Sequence, residues 1–152
     1  MSYELYVKVL FDNFSESDLK KLLSISKQCK FKSGDYLFKE GEESNSMYIV
    51  FTGNLEIFSS SGFSQKVTFK DFHSNGTVLG EVAFFDGKPR TASVRAIDNI
   101  NAMQITRDEF SKIEEEDPNL AIKFLKEISK ITAERLRWAD EQVKELSALL
   151  YK

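Results

Sequence analysis

After Pro118 the chain reaches Lys152 without another glycine or proline, while all seven glycines fall between Gly34 and Gly87. That division constrains the fold more than any other feature. A stretch free of both helix breakers can run as one helix, here of up to about nine turns. A stretch broken by turn residues every ~8–12 positions reads instead as short strands of an antiparallel sandwich or barrel. The strand-like segments lie between Phe31 and Ile105. Residues 47–52 (MYIVFT) and 54–58 (NLEIF) flank Gly53 as a hairpin signal. Residues 66–70 (KVTFK) alternate after the turn Ser59-Ser60-Ser61-Gly62, and Asp98-Asn99 separates Val94 and Ala96 from residues 100–105.

Both ends are helical in character. Residues 1–27 read as an N-terminal helical segment: Ser15 and Asp18 are spaced as a capping box, and Leu19, Leu22, Leu23 and Ile25 form one apolar face. Residues 107–152 read as C-terminal helices. Thr106 or Asp108 opens a short helix through Glu116, and Asp117-Pro118 restarts it as a carboxylate N-cap with proline at the first helical position. On the long helix, Leu136, Ala139, Val143, Leu146 and Leu150 recur at alternating spacings of three and four, a heptad seam. The seam predicts a homodimer through helix 118–152; the alternative is that this face packs on the chain's own strands.

Composition excludes several function classes. Lys plus Arg is 21 against 24 Asp plus Glu, a net charge of -3, which is poorly suited to binding nucleic acid phosphates. Nothing basic and helical follows the long helix to enter a groove, so DNA binding is not expected. One cysteine, Cys29, permits no intramolecular disulfide, and one histidine, His73, cannot supply the several imidazoles of a metal-holding cupin. No metal site and no enzymatic activity are expected. No run approaches the ~18 apolar residues of a membrane span, and the start lacks the basic flank of a signal peptide. The chain therefore reads as cytoplasmic, with no membrane partner. His73 sits in a polar loop and reads as solvated, Cys29 as a small core residue, residues 114–117 as a solvated acidic cap, and the 13 phenylalanines as core.

The chemistry concentrates in residues 80–94, GEVAFFDGKPRTASV. Residues 82–86 can form one helical turn. Small residues at Gly80, Ala83 and Ala92 let backbone N–H groups approach a ligand closely. A helix start and the fixed guanidinium of Arg90 make an anion site. Glu81 would repel that anion, so it must accept from another part of the ligand, such as hydroxyls. An acceptor and an anion site together describe a sugar phosphate. The alternative is that Glu81 and Arg90 only pair with each other.

Gly80-Glu81-x-Ala83 followed by Pro89-Arg90-Thr91-Ala92-x-Val94 resembles the phosphate-binding cassette of the cyclic nucleotide-binding domain family, over residues 80–94. Gly34, Phe38, Glu40-Gly41, Met47-Tyr48-Ile49-Val50 and Gly53-Asn54-Leu55-Glu56-Ile57 match its upstream signature. The resemblance, to regulatory domains of cAMP- and cGMP-dependent kinases and to the catabolite activator's sensor domain, covers roughly residues 5–150. It implies an α+β, mainly β fold: an eight-stranded antiparallel β-roll or jelly-roll over residues 28–106, with an N-terminal helix and a long C-terminal helix.

The same resemblance implies roles and a ligand, cAMP or cGMP. Glu81 and the backbone at Gly80 hold the ribose 2′-hydroxyl, and Arg90 pairs with the cyclic phosphate. N–H groups at Ala83 and Thr91 bind its outer oxygens, and Val82 and Ala92 form the wall. The Thr91 hydroxyl resembles the cGMP-dependent kinase pattern. On the long helix, Arg135-Leu136 followed by Glu141 and Val143 resembles the activator's hinge helix, which sets Ala139-Asp140 where the activator carries its adenine-reading Thr-Ser pair; counting from Pro118 instead sets Arg135-Leu136 there. Asp140 is then a candidate acceptor for guanine and Trp138 a candidate cap on the base, its alternative being burial in the seam or against the strands. The expected function is a cyclic nucleotide sensor that signals to an unidentified output protein by moving its C-terminal helix. The alternative is a ligand-independent scaffold of the same fold.

Overall fold

The computed structural model describes residues 3–62, 64–67 and 76–151. The expected helix over residues 1–27 resolves into α1 (Tyr3–Leu10) and α2 (Glu16–Ile25). Ser15 restarts the helix: its Oγ accepts from Asp18 N, and the Asp18 carboxylate accepts from Ser15 N, both at 3.1 Å. The strands are β1 (Lys27–Phe31), β2 (Tyr36–Phe38), β3 (Ser46–Thr52), β4 (Leu55–Phe58), β5 (Ser64–Val67), β6 (Thr77–Leu79), β7 (Ser93–Ala96) and β8 (Ile100–Thr106). Between β6 and β7 lies α3 (Glu81–Asp86), and after β8 come α4 (Arg107–Glu116) and α5 (Pro118–Leu150). His73 and residues 68–70 of the expected alternating strand lie outside the described residues.

Among the described residues the strands form two antiparallel sheets, in the orders β1-β8-β3-β6 and β2-β7-β4-β5. Among the described residues no hydrogen-bonded strand pairing closes one sheet onto the other. The order also corrects the Gly53 hairpin, because β3 and β4 belong to different sheets. Gly53 turns a corner between the sheets at φ +106°, where a Cβ would lie 2.5 Å from the Asn99 carbonyl. The β7–β8 turn packs against that corner: Asn54 donates from its backbone N and Nδ2 to the Asp98 carboxylate at 2.6 and 2.7 Å. The local hairpin is β4–β5, closed by Gly62 N donating to Ser59 O.

The run MYIVFT is apolar at nearly every position because β3 is covered on both sides. Met47, Ile49 and Phe51 face a core shared with Phe11, Leu22, Phe110, Phe124 and Ile128 of the helices. Tyr48 and Val50 face a second core with Phe38, Leu55, Leu79, Val94 and Ala102. Phenylalanines link the helices: Phe124 packs on Phe11 at 5.8 Å and Phe110 at 5.4 Å, and Phe110 on Phe84 at 6.0 Å, between ring centroids. Cys29 is half-buried against the second core.

Thr106, not Asp108, caps α4, in a capping box with Glu109. Asp117 caps α5, accepting from Leu120 N at 3.2 Å. Lys21–Asp117 and Lys123–Asp18 pairs, at 2.7 and 2.8 Å, tie α2 to the start of α5. The buried positions of α5 are Leu120, Ala121, Phe124, Ile128 and Ile131. Beyond them Leu136, Val143, Leu146 and Leu150 of the seam are 60–79% exposed, while Trp138 between them is half-buried. No helix among the described residues is long and apolar enough to cross a membrane, and no group of three or more His, Cys, Asp or Glu there could hold a metal.

Candidate functional site

The inter-sheet core opens beside α3 into a small cleft. Gly80, Glu81, Val82 and Ala83 form one rim together with Arg135 of α5; Arg90, Thr91 and Ala92 form the facing one, and Phe38, Ile57, Leu79 and Val94 the apolar floor. Gly80 starts α3 from the left-handed region at φ +77°. The first intrahelical bond runs from Phe84 N to Gly80 O, so the N–H groups of residues 81–83 lie ahead of it. At the other end of α3, Arg107 donates to the carbonyls of Phe84 at 3.0 Å and Ala83 at 2.9 Å. That places a cation at the negative end of the helix.

Arg90 is 5% exposed. Its backbone is pinned both ways to the loop before β3: Arg90 N donates to Glu42 O and Gly41 N to Arg90 O, each at 2.9 Å. Its Nη1 donates to Gly80 O at 2.9 Å and its Nη2 to Ser46 Oγ at 3.4 Å. The guanidinium lies 4.1 Å over the Phe38 ring. Its Nε is buried without an acceptor, and no carboxylate among the described residues forms an ion pair with it. Burial pushes its pKa below the usual arginine value, while Tyr48, Glu42 and Glu81 oppose that shift. The result is a buried cation that no carboxylate among the described residues contacts, in a cleft with a second polar rim.

Glu81, also 5% exposed, does not pair with Arg90. It pairs with Arg135 of α5, whose Nη1 lies 2.9 Å from Oε1 and 3.1 Å from Oε2 and also donates to Val78 O. A carboxylate has about four acceptor sites, so Glu81 can keep Arg135 and still accept from a hydroxyl. One of the two helix registers read from the sequence sets Arg135 toward the ligand, but its pairing with Glu81 was not anticipated. The signal was present, since Arg135 stands one helical turn past Ile131, the last buried position of α5. Val82 and Thr91 are exposed, Ala83 is buried and Ala92 half-buried. Trp138 and Asp140 are outside the residues lining the cleft. Trp138 is half-buried and three residues past Arg135, on its face of the helix. Asp140 is exposed and, five residues on, leaves that face.

The cyclic nucleotide-binding domain family model matches residues 28–117. The chain is 33% identical over 84 residues to the cAMP-dependent protein kinase regulatory subunit of Emericella nidulans, covering 55% of this chain and 19% of that protein. It is 31% identical over 84 residues to cGMP-dependent protein kinase 2 of Mus musculus, covering 55% and 10%. It thus spans less than a fifth of either relative. Among solved structures, a cyclic nucleotide-binding domain from Methylobacillus flagellatus superposes with a TM-score of 0.81 at 21% identity, over 94% of this chain and 84% of that one. The Thermus thermophilus catabolite activator protein superposes at 0.65 and 21% identity, over 91% and 62%. With the family model spanning both rims of the cleft, the chain belongs to the cyclic nucleotide-binding domain family.

Proposed function

We propose that the chain is a sensor for cAMP or cGMP, a cytoplasmic binding module rather than an enzyme. The observation that carries this is Arg90: a guanidinium 5% exposed, with an orphan Nε and no carboxylate partner among the described residues, on the rim of a cleft. A cyclic phosphate supplies the missing anion. Glu81, across the cleft, accepts the ribose 2′-hydroxyl with the backbone at Gly80. N–H groups at Ala83 and Thr91 take the outer phosphate oxygens, and Val82 and Ala92 flank the sugar. The two-sheet strand order supports the eight-stranded roll of the family over residues 28–106, between the helical segments 1–27 and 107–152.

Discrimination between purines falls to groups that reach the base edge. Thr91 offers a hydroxyl at the rim, while Trp138 reaches the base only when α5 swings inward, and Asp140 only when α5 also turns about its own axis. That movement is the proposed output, read by a separate protein, and no DNA or membrane contact is needed. Titration calorimetry with both nucleotides tests the reading. The parent is expected to bind. Thr91→Ala and Asp140→Ala are expected to change the cAMP-to-cGMP ratio by roughly five- to a hundredfold, the worth of one unpaired polar group. Glu81→Ala should weaken both nucleotides alike. A parent that binds neither sinks the proposal, and a ratio unchanged in both base-side variants sinks the assignment of selectivity.

The bare apolar face of α5 favours self-association. A homodimer paired along Leu136, Val143, Leu146 and Leu150 should sediment as one species at micromolar concentration, and a Val143→Glu, Leu146→Glu variant as half that mass. A monomeric parent would refute it. The same face supports a second reading, a ligand-independent scaffold, which a non-binding but dimeric parent would favour.

A further inference from the structure

Arg90 is held by a polar network that nucleotide contact does not use. In the β3–β8 ladder Tyr48 stands opposite Gln104, and Ser46, two residues before Tyr48, shares its face. Gln104 Nε2 donates to Tyr48 Oη and to Ser46 Oγ, each at 3.2 Å. The same Ser46 oxygen accepts from Arg90 Nη2 at 3.4 Å. Gln104 shares its β8 face with Ile100 and Ala102, both buried in the inter-sheet core. Burial pushes the Tyr48 phenol up, so it stays neutral. Every group in the network is therefore uncharged, although a cation this buried is ordinarily held by a carboxylate.

We infer that Ser46, Tyr48 and Gln104 are positioning residues for Arg90, and that the amide at Gln104 leaves the guanidinium's charge free for an anionic ligand. Neutral acceptors fix the direction of the guanidinium without cancelling its charge. A glutamate at 104 has nearly the same shape but would bring a negative charge to within two hydrogen bonds of Arg90. It would compete with the cyclic phosphate for the same cation. The inference rests on the cyclic nucleotide reading for its ligand, but its effect on the protein alone is independent of that reading.

The test compares the parent, Gln104→Glu and Gln104→Leu by thermal melting without nucleotide and by calorimetric titration with cAMP and cGMP. Gln104→Glu is expected to lose about tenfold or more in affinity for both nucleotides, yet to melt no lower than the parent. Gln104→Leu is expected to melt lower than the parent and to lose less affinity than the glutamate variant. A purely structural role would move melting and affinity in the same direction. Gln104→Glu binding within about threefold of the parent overturns the inference. So does Gln104→Glu melting below Gln104→Leu or failing to fold, because a carboxylate there is expected to pair with Arg90. If the parent binds neither nucleotide, the ligand reading falls, and the melting order of the two variants still decides the network.

Discussion

Arg90→Leu is expected to lower cyclic nucleotide affinity at least ~100-fold while leaving the melting temperature unchanged or raised. Each charge-assisted hydrogen bond to the phosphate contributes about 1.5–3 kcal/mol, and two are lost with the guanidinium, so the expected loss is about 3–6 kcal/mol. The stability expectation follows from the cost of burying a charge without a counter-ion. Leucine gives up the contact over Phe38 and the bonds to Gly80 O and Ser46 Oγ, but it also removes an orphaned buried Nε. Calorimetry and a thermal melt on the same preparation check both halves. A variant that binds within a few-fold of the parent would show that Arg90 is not the anion site.

Gly80→Ala is expected to lower affinity about tenfold or more, through a collision rather than through strain alone. The left-handed conformation at residue 80, φ +77°, costs an L-residue roughly 1–2 kcal/mol. A Cβ there would also lie 2.2 Å from Arg90 Nη1 and 3.2 Å from Phe38 Cε1. The guanidinium is fixed between Gly80 O, Ser46 and the Phe38 ring, so relieving the clash turns it out of its cradle. Gly87→Ala separates the two effects. Gly87 ends the same short helix at φ +71°, but the nearest atom to its Cβ is Arg107 Nη2 at 4.0 Å. It should destabilise the protein to a similar degree and keep affinity near that of the parent. Equal losses of affinity in the two variants would place the effect in α3 strain and not at Arg90.

The elements that could be read from the sequence are those set by local chemistry. Ser15 with Asp18, Thr106 with Glu109, and Asp117 before Pro118 open their helices through bonds within one turn. The candidate residues Gly80, Glu81, Arg90 and their neighbours stand together for a related reason: they lie in one short segment, and the structure gathers them around one cleft. What failed was set by partners distant in the chain. Gly53 between two apolar runs looks like a hairpin, and only the contact with Asp98 and Asn99 makes it a corner between sheets. The pairing of Glu81 with Arg135 joins residues 54 apart. The Ser46–Gln104 bond joins residues 58 apart, and nothing in either local pattern marks it.

The far half of α5 has a thermodynamic consequence of its own. Past Arg135 the helix carries no fully buried side chain among the described residues, and its apolar side chains at 136, 143, 146 and 150 are 60–79% exposed. A lone helix of ~12–15 residues is marginal in water, whatever its propensity. This segment therefore couples a helix–coil transition to whatever covers its apolar face. Its far-ultraviolet dichroism should strengthen with protein concentration, and its amides should exchange faster than those of residues 118–131 on dilution. A ligand that draws α5 toward the cleft would then change how much of the chain is ordered at all, and not only where one rigid rod points.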